Sequence, residues 1–205
     1  MLPEAVASAA FRRRGRSLLA LCGALAVTAC VSPWPHGEGQ GNAQRESLQG
    51  FALAGRFALR QEGQGYAGRL DWRHAGERDE LLLSSPLGQG MAEIVSDAGG
   101  ARLTASDGTS RTAETPDALL QSVLGYPLPL SKLVDWVRGR SPDGGKISVD
   151  ALGRPLQLRY QDWRIDYQYD SDDPQALPGR LFVEREGILE LRLRIDQWQA
   201  LPGED

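Results

Sequence analysis

Cysteine and histidine are scarce in this chain, and their scarcity argues against several kinds of chemistry. The 205 residues hold two cysteines, Cys22 and Cys30, and two histidines, His36 and His74. Neither histidine has a companion at the spacing of zinc ligands, so no metal site is expected. No Gly-x-Ser-x-Gly segment occurs, and His74 is the only histidine placed to act as a base, which argues against a hydrolase. We therefore expect no metal, no cofactor and no catalytic residues.

Complete phosphate-binding and calcium-binding motifs are also missing. Gly63–Gly68 has the glycine spacing of a dinucleotide-binding loop, but a strand pattern over 69–72 follows where a helix is required. In the partial P-loop match Gly139–Gly144, the next residue, Gly145, stands where lysine is needed. The acidic segment Asp170–Asp173 lacks the spacing of a calcium loop. A hairpin, a loop and a solvated loop are the expected structures of these three segments.

A long apolar run is missing at the N-terminus, where a membrane-spanning helix would need about 20 apolar residues. The apolar run Ser17–Val27 is shorter and follows four arginines between Arg12 and Arg16. This order is typical of a secretory signal peptide. Next comes Val27-Thr28-Ala29-Cys30, which resembles the bacterial lipobox. We predict a lipoprotein signal peptide over 1–29 and lipidation of Cys30; an ordinary signal peptide with an accidental cysteine is the alternative.

Without this N-terminal leader, the chain has no excess of basic charge. The chain has 23 basic and 27 acidic residues, of which the leader holds four arginines and Glu4. Residues 30–205 therefore keep 19 basic and 26 acidic residues, a net charge of −7 without a basic stripe, and nucleic acid is not an expected partner. Acyl chains on Cys30 would still hold the acidic domain at a membrane, because each buried methylene contributes about 0.8 kcal/mol. Val31 in the second mature position favours the outer membrane, by resemblance to bacterial sorting signals.

The remaining chain divides into a tether, a β-rich domain and a short tail. Residues 30–48 are rich in glycine, proline and polar side chains, which predicts a lipidated flexible tether. From 49 to 200, apolar residues alternate at a period of two, which is typical of strands. The clearest example is Leu189–Ile195, and the segments 51–59 and 66–72 alternate similarly. Further candidate strands are 79–84, 91–96, 101–105, 147–151, 155–161, 163–169 and 180–185, and the tail is 201–205.

Two short helices are predicted between two groups of strands. Thr115 can cap the first, with Pro116 at its first position and Gly125 at its end. Ser131 can cap the second, and Gly139 can end it. An order of about six strands, two helices and four or five strands predicts a mainly β, α+β fold: a curved antiparallel sheet or incomplete β-barrel with a helical lid. A curled sheet of this size can enclose a hydrophobic cavity.

One apolar side chain lies among turn-forming residues. The segment Ser84–Gly90 follows an apolar strand and contains Leu87 between Pro86 and Gly88. This composition predicts that Leu87 lies at the tip of a loop. By itself a single exposed leucine indicates no function, because apolar atoms supply over half of a protein surface.

Taken together, these features resemble the LolB family, the outer-membrane receptors for lipoproteins. The resemblance runs from Cys30 to Trp198, and the segment 138–145 departs from the family pattern, in which a proline follows the glycine sooner. The matching residues are Gly55-Arg56-Phe57, Trp72, Pro86-Leu87-Gly88, Pro127-Leu128-Pro129, Leu133 with Trp136 and Gly139, Trp163 with Tyr167, and Trp198.

The resemblance implies a lipid-anchored protein of the outer membrane that faces the periplasm and is not an enzyme. Its implied function is to accept acylated lipoproteins from a periplasmic carrier in a hydrophobic cavity and to insert them into the inner leaflet of the outer membrane, without nucleotide. Leu87, flanked by Pro86 and Gly88, falls on the loop that would contact the membrane. The expected partners are the carrier, the lipoprotein cargo and outer-membrane lipids, with the chain itself a monomer.

The side chains expected to line the cavity are those on the inward faces of strands and helices. They are Phe57, Leu70, Trp72, Leu133, Trp136, Trp163, Leu191 and Leu193, and for each tryptophan plain core packing is the alternative. The alternative function is that of a structural outer-membrane lipoprotein or an assembly scaffold, which would use the sheet only to bind other proteins.

Overall fold

The computed structural model describes Arg45 and residues 47–202, and within them the chain forms eleven strands and two helices. The predicted signal peptide, Cys30 and most of the predicted tether lie outside the described residues. None of the described helices has the length and apolar character needed to cross a membrane. The elements are β1 Gly50–Gln61, β2 Gln64–Ala75, β3 Arg78–Ser84, β4 Gly90–Asp97, β5 Gly100–Ala105, β6 Ser110–Ala113, α1 Pro116–Leu124, α2 Leu130–Val137, β7 Lys146–Val149, β8 Pro155–Tyr160, β9 Trp163–Gln168, β10 Arg180–Arg185 and β11 Leu189–Leu201.

The described strands form one open antiparallel sheet in the order β6-β5-β4-β3-β2-β1-β11-β10-β9-β8-β7. Strand β1 is central because it pairs with β2 on one side and with β11 on the other. The chain runs outward from β1 to the edge strand β6, continues through the two helices, and returns from the other edge strand, β7, to β11. The two edges are thus joined by helices and not by a strand ladder. The predicted mainly β fold with two short helices is confirmed.

Alternating side chains give the sheet one buried apolar face and one polar face. In β11, the odd-numbered residues Leu189–Ile195 are buried, while the residues between them are charged. A β-bulge interrupts the pairing of β1 with β11, because Ala54 pairs with Gln197 and Gly55 with Ile195, so that Asp196 has no partner in β1. Beyond the bulge the alternation is offset by one residue, and Trp198 therefore lies on the apolar face. A Cβ on Gly55 would lie 2.1 Å from the carbonyl oxygen of Arg194, so only glycine permits this close approach.

Helix α1 begins and ends as its sequence predicts. The side chain of Thr115 accepts a hydrogen bond from the amide of Ala118, Pro116 opens the helix, and Gly125 closes it in the left-handed region with φ of 80°. The segment Pro116–Leu124 contributes Leu119 and Leu120 to the buried apolar face.

The prediction that Ser131 caps α2 is wrong, because this helix begins at Leu130, directly after Pro129. The amide and hydroxyl of Ser131 instead donate to the carboxylate of Asp117 in α1, over 3.0 and 2.8 Å. A carboxylate from a neighbouring helix therefore satisfies the first turn of α2, as a capping side chain would. Gly139 follows the end of α2 with φ of 73°, as predicted for a helix terminator.

Strand β6 was not among the predicted strands. Its sequence, Ser110–Ala113, is short and polar and lacks apolar alternation, yet it pairs with β5 in register. The predicted strand 147–151 is shorter in the structure, where it ends at Val149. Both differences fall at the edges of the sheet, where few side chains enter the core.

Candidate functional site

Strand register sets apolar side chains in rows across the helix-covered face of the sheet. One row crosses four strands, because Phe57 pairs with Leu193, Leu193 with Leu181, and Leu181 with Tyr167. We call these four residues the tyrosine row. On the other side of Phe57 stands Gly68, where a Cβ would lie 3.1 Å from the Phe57 ring and 2.2 Å from a backbone oxygen. The glycine thus makes room for the ring.

Helix α2 covers the part of this face that β8 and β9 form. The ring centroid of Trp136 lies 5.5 Å from that of Trp163 and 6.4 Å from that of Tyr160. Trp136 is fully buried. Tyr167 follows Trp163 by four residues on the same face of β9, or roughly 13 Å along the strand at 3.3 Å per residue.

All eight predicted cavity residues lie on the apolar face of the sheet or on the helix that covers it. Seven of them are buried, and the eighth, Phe57, is half-buried against the same cluster. In the structure they form one packed hydrophobic core, so the fold brings them together. The eight are Phe57, Leu70, Trp72, Leu133, Trp136, Trp163, Leu191 and Leu193.

A groove of about 1030 Å³ is lined by residues of the opposite, polar face of the sheet, among them Phe182 and four arginines, together with the four residues of the tyrosine row. Its arginines are paired with carboxylates: Arg56 with Asp196 at 3.0 Å, and Arg194 with Asp170 at 2.7 Å. Hydrogen bonding to Arg194, with the charges of neighbouring arginines, holds the pKa of Asp170 below its usual value. A surface of paired charges suits acyl chains poorly, since burying such pairs under hydrocarbon removes their hydration. The buried apolar cluster lies instead on the helix-covered face.

A buried polar cluster in the β2–β3 hairpin was not predicted from the sequence. The Oδ1 of Asp79 accepts a hydrogen bond from Trp72 Nε1 at 2.8 Å and lies 2.9 Å from His74 Nδ1. The Phe51 ring lies 5.2 Å from the rings of both Trp72 and His74. His74 and Asp79 are direct cross-strand partners in the β2–β3 hairpin, so hairpin pairing is the signal that could have found them.

Arg138 ties the end of α2 to the segment that enters β1. Its guanidinium donates to the carbonyl oxygens of Val134 and Leu48 at 2.9 and 2.7 Å, and to Asp135 at 2.9 Å. The Arg138 side chain is buried, and this burial lowers its pKa, with the charge of Arg140 acting in the same direction. The carbonyl oxygens and Asp135 compensate the buried charge, so we expect this contact to hold the C-terminal end of α2 on the sheet.

The segment around Leu87 forms a tight turn between β3 and β4. The amide of Gly88 donates to Ser85 O at 2.8 Å, and the amide of Ser85 donates to Gln89 O at 2.7 Å. Pro86 stands at the position where its fixed φ suits a turn, and Gly88 has φ of 87°. Leu87 is 91% exposed. A constrained turn therefore presents a large apolar side chain to the solvent.

The Leu87 turn lies at the end of the sheet where β1 finishes. In an antiparallel meander successive hairpins alternate between the two ends, so the β1–β2, β3–β4 and β5–β6 connections share one end. We call it the turn end. The chain enters β1 at Gly50 from the opposite end, at which the β7–β8 loop with Leu152 also lies.

These features define a class of protein: an open β-barrel in which helices cover an apolar face, a fold type suited to enclosing apolar ligands. Among the described residues, no group of three or more His, Cys, Asp or Glu side chains could hold a metal ion. The fold has a counterpart in the crystal structure of a DUF1329 family protein from Desulfovibrio piger. That structure aligns with a TM-score of 0.52 and 12% identity over 79% of this chain and 90% of that chain.

Sequence comparison identifies the family. The family model described as outer membrane lipoprotein LolB matches residues 49–198. The outer-membrane lipoprotein LolB of Dechloromonas aromatica is 42% identical over 163 residues, 77% of this chain and 86% of that relative. The LolB of Azoarcus sp. is 39% identical over 192 residues, 93% of this chain and 97% of that relative. The chain therefore belongs to the LolB family of outer-membrane lipoproteins.

Proposed function

We propose that this chain accepts acylated lipoproteins from a periplasmic carrier and inserts them into the inner leaflet of the outer membrane. It is anchored by lipid at Cys30, faces the periplasm, works as a monomer and uses neither nucleotide nor catalytic residues. The acyl chains of the cargo bind against the apolar face of the sheet, beneath α2.

The observation that carries this proposal is the way the apolar face is covered. The edge strands β6 and β7 are joined by α1 and α2, and α2 rests on the sheet through side-chain contacts such as that of Trp136 with Trp163. Side-chain contacts can separate without breaking a strand ladder. An acyl chain can therefore enter between α2 and the sheet and replace the contacts that the helix gives up.

The energetics require direct handover from one apolar interior to the next. Exposing an acyl chain of roughly 15 methylenes to water costs about 12 kcal/mol at 0.8 kcal/mol per methylene. Transfer without nucleotide must therefore run from carrier to receptor to bilayer, with each site binding more tightly than the one before. About 1.4 kcal/mol per step is enough for tenfold directionality.

Release takes place at the turn end, where Leu87 enters the bilayer. The chain enters β1 at the end opposite to the Leu87 turn, and the 12 residues of β1 span roughly 40 Å. Arg45 is buried and donates to the carbonyl oxygens of Pro174 and Ala176, so the free tether ends there. The fifteen residues from Cys30 to Arg45 give a reach of roughly 50 Å when extended. This tether is long enough for the turn end to meet the same membrane that holds the anchor.

The test uses two phenylalanines of similar exposure on opposite faces of the sheet. Phe57 belongs to the helix-covered face, and Phe182 lies on the polar face beside Arg192, with the ring 5.3 Å from the guanidinium. A photo-crosslinking phenylalanine analogue is placed at either position of the mature protein in nanodiscs, and carrier loaded with a radiolabelled lipoprotein is added. Crosslinking to the acyl chains is expected from position 57 and not from position 182.

The outcomes separate the two functions under consideration. Crosslinks from position 182 alone, or crosslinks only to the polypeptide of the cargo, would support a scaffold that binds proteins through its sheet. Absence of crosslinks from both positions would contradict acyl binding by this domain.

A further inference from the structure

Two buried hydrogen-bond donors in the apolar interior have no acceptor. The indole Nε1 of Trp136 and the hydroxyl of Tyr167 are fully buried, and neither has a hydrogen-bond partner among the described residues. Buried polar groups are nearly always satisfied, because a donor that loses water without gaining an acceptor is destabilising. Two such groups in one apolar interior call for an explanation in terms of function.

Both donors lie where the proposed ligand would bind. Tyr167 ends the tyrosine row, opposite Leu181, and is 3% exposed. Trp136 projects from α2 onto Trp163 of the same strand, β9. Both groups therefore lie at β9, on the face of the sheet that α2 covers.

The chemistry of the two groups is that of donors to a neutral acceptor. An indole nitrogen can only donate, and burial above all raises the pKa of Tyr167, so its hydroxyl keeps its proton at physiological pH. A charged acceptor would carry a large desolvation penalty in this interior, whereas a neutral carbonyl oxygen would not. An acyl chain attached through an ester or an amide carries such a carbonyl at its head.

We propose that Tyr167 Oη and Trp136 Nε1 bind the ester or amide carbonyl oxygens at the heads of the acyl chains of the cargo. A diacylglyceryl cysteine offers two ester carbonyls, and N-acylation adds an amide. The two donors set the depth to which the chains enter, and they favour acyl chains over plain hydrocarbon of the same length. This inference rests on the proposed function and deepens it.

The test compares two synthetic ligands that differ only in the carbonyl groups. One is a cysteine peptide with an ester-linked dipalmitoylglyceryl group, and the other is its dihexadecyl ether analogue. Their affinities for the mature protein in nanodiscs are measured by competition with a fluorescent lipopeptide. The wild type is expected to bind the ester about tenfold more tightly than the ether, because one or two net hydrogen bonds supply the free energy for such a difference. Tyr167→Phe is expected to lower this preference to about threefold.

Tyr169 is the matched control, since its hydroxyl donates to Pro155 O at 2.8 Å and is thus satisfied. Tyr169→Phe should lower the melting temperature and leave the ester preference unchanged. Tyr167→Phe should leave the melting temperature unchanged or raise it, because an orphaned hydroxyl is removed. Trp136→Phe should also reduce the preference; if that variant does not fold, the two tyrosine variants decide the question alone.

Equal affinity of the wild type for ester and ether ligands would overturn the inference while leaving the proposed function intact. A preference that survives Tyr167→Phe undiminished would also overturn it. Failure of the wild type to bind either ligand would instead refute the proposed function itself.

Discussion

Replacing Leu87 by glutamate should separate cargo release from cargo binding. Leu87 is 91% exposed at the tip of its turn and makes no contribution to the core, so the free energy of unfolding should change by no more than about 0.5 kcal/mol. The helix-covered face lies behind the turn and is untouched by the substitution. Uptake of acylated cargo from the carrier should therefore be normal.

The size of the effect follows from the apolar surface that Leu87 would bury in the bilayer. Complete burial of a leucine side chain is worth about 1.5–3 kcal/mol, and with 91% of it still exposed nearly all of this remains to be gained at the membrane. A glutamate gains none of it. Release into a bilayer should slow by roughly tenfold to a hundredfold, at 1.4 kcal/mol per factor of ten.

The assay follows a fluorescent lipopeptide from loaded receptor into liposomes. Leu152→Glu is the matched control, since Leu152 is a loop leucine, 38% exposed, at the opposite end of the sheet. That variant should release cargo at the wild-type rate. Equal release by wild type and Leu87→Glu would refute the role of the turn, and equal slowing by both variants would indicate a general charge effect.

The structure makes three further predictions. Gly68→Ala should destabilise the fold by about 1–3 kcal/mol in urea denaturation, because its Cβ would lie 2.2 Å from a backbone oxygen of β3. Gly65→Ala in the same strand meets nothing closer than 4.0 Å and should be neutral or mildly stabilising; equal effects would refute the packing argument. Asp79→Ala should cost about 2–5 kcal/mol, since it orphans a buried indole and imidazole. Asp97→Ala removes only exposed contacts, an ion pair with Arg78 and an acceptor for the Gly99 amide, and should cost under about 1 kcal/mol; thermal denaturation of both variants checks this. Deleting residues 35–44 should leave roughly 17 Å of tether before the buried Arg45, which is shorter than β1. Release should then slow into the membrane that holds the anchor but not into added liposomes, and equal rates into both would contradict a role for tether length.

Much of the fold could be predicted because its strands and first helix are specified by local residues. The alternation of leucine with charged residues over 189–195 predicts β11 and its buried face, as the structure has it. Thr115, Pro116 and Gly125 predict both ends of α1. These signals are local, and each element obeys its own pattern without help from distant residues.

The features that were not predicted from the sequence depend on contacts between distant residues. Ser131 failed as a cap because Asp117, on the other helix, satisfies the first turn of α2. Strand β6 was not predicted because its residues are polar, and it is held by the ladder to β5 and by a hydrogen bond from Arg111 to the Ser122 carbonyl oxygen of α1. Pairing of His74 with Asp79 requires the β2–β3 register, which composition does not specify.

The candidate site, too, could be predicted only in part from local sequence patterns. Inward positions of strands follow from alternation, so the eight predicted cavity residues lie on or against one apolar face. Sequence patterns do not reveal whether a buried donor finds an acceptor. The orphaned hydroxyl of Tyr167 and indole of Trp136 emerge only from the packed structure.

Native mass spectrometry can show whether this domain holds acyl chains in its apolar interior. The chain from residue 31 onward, which has no lipid of its own, is mixed with carrier loaded with a lipopeptide of known mass. We expect a one-to-one complex of this chain with the acylated peptide, and no complex with the same peptide lacking its acyl chains. A complex that forms equally with and without the acyl chains, or no complex at all, would contradict it.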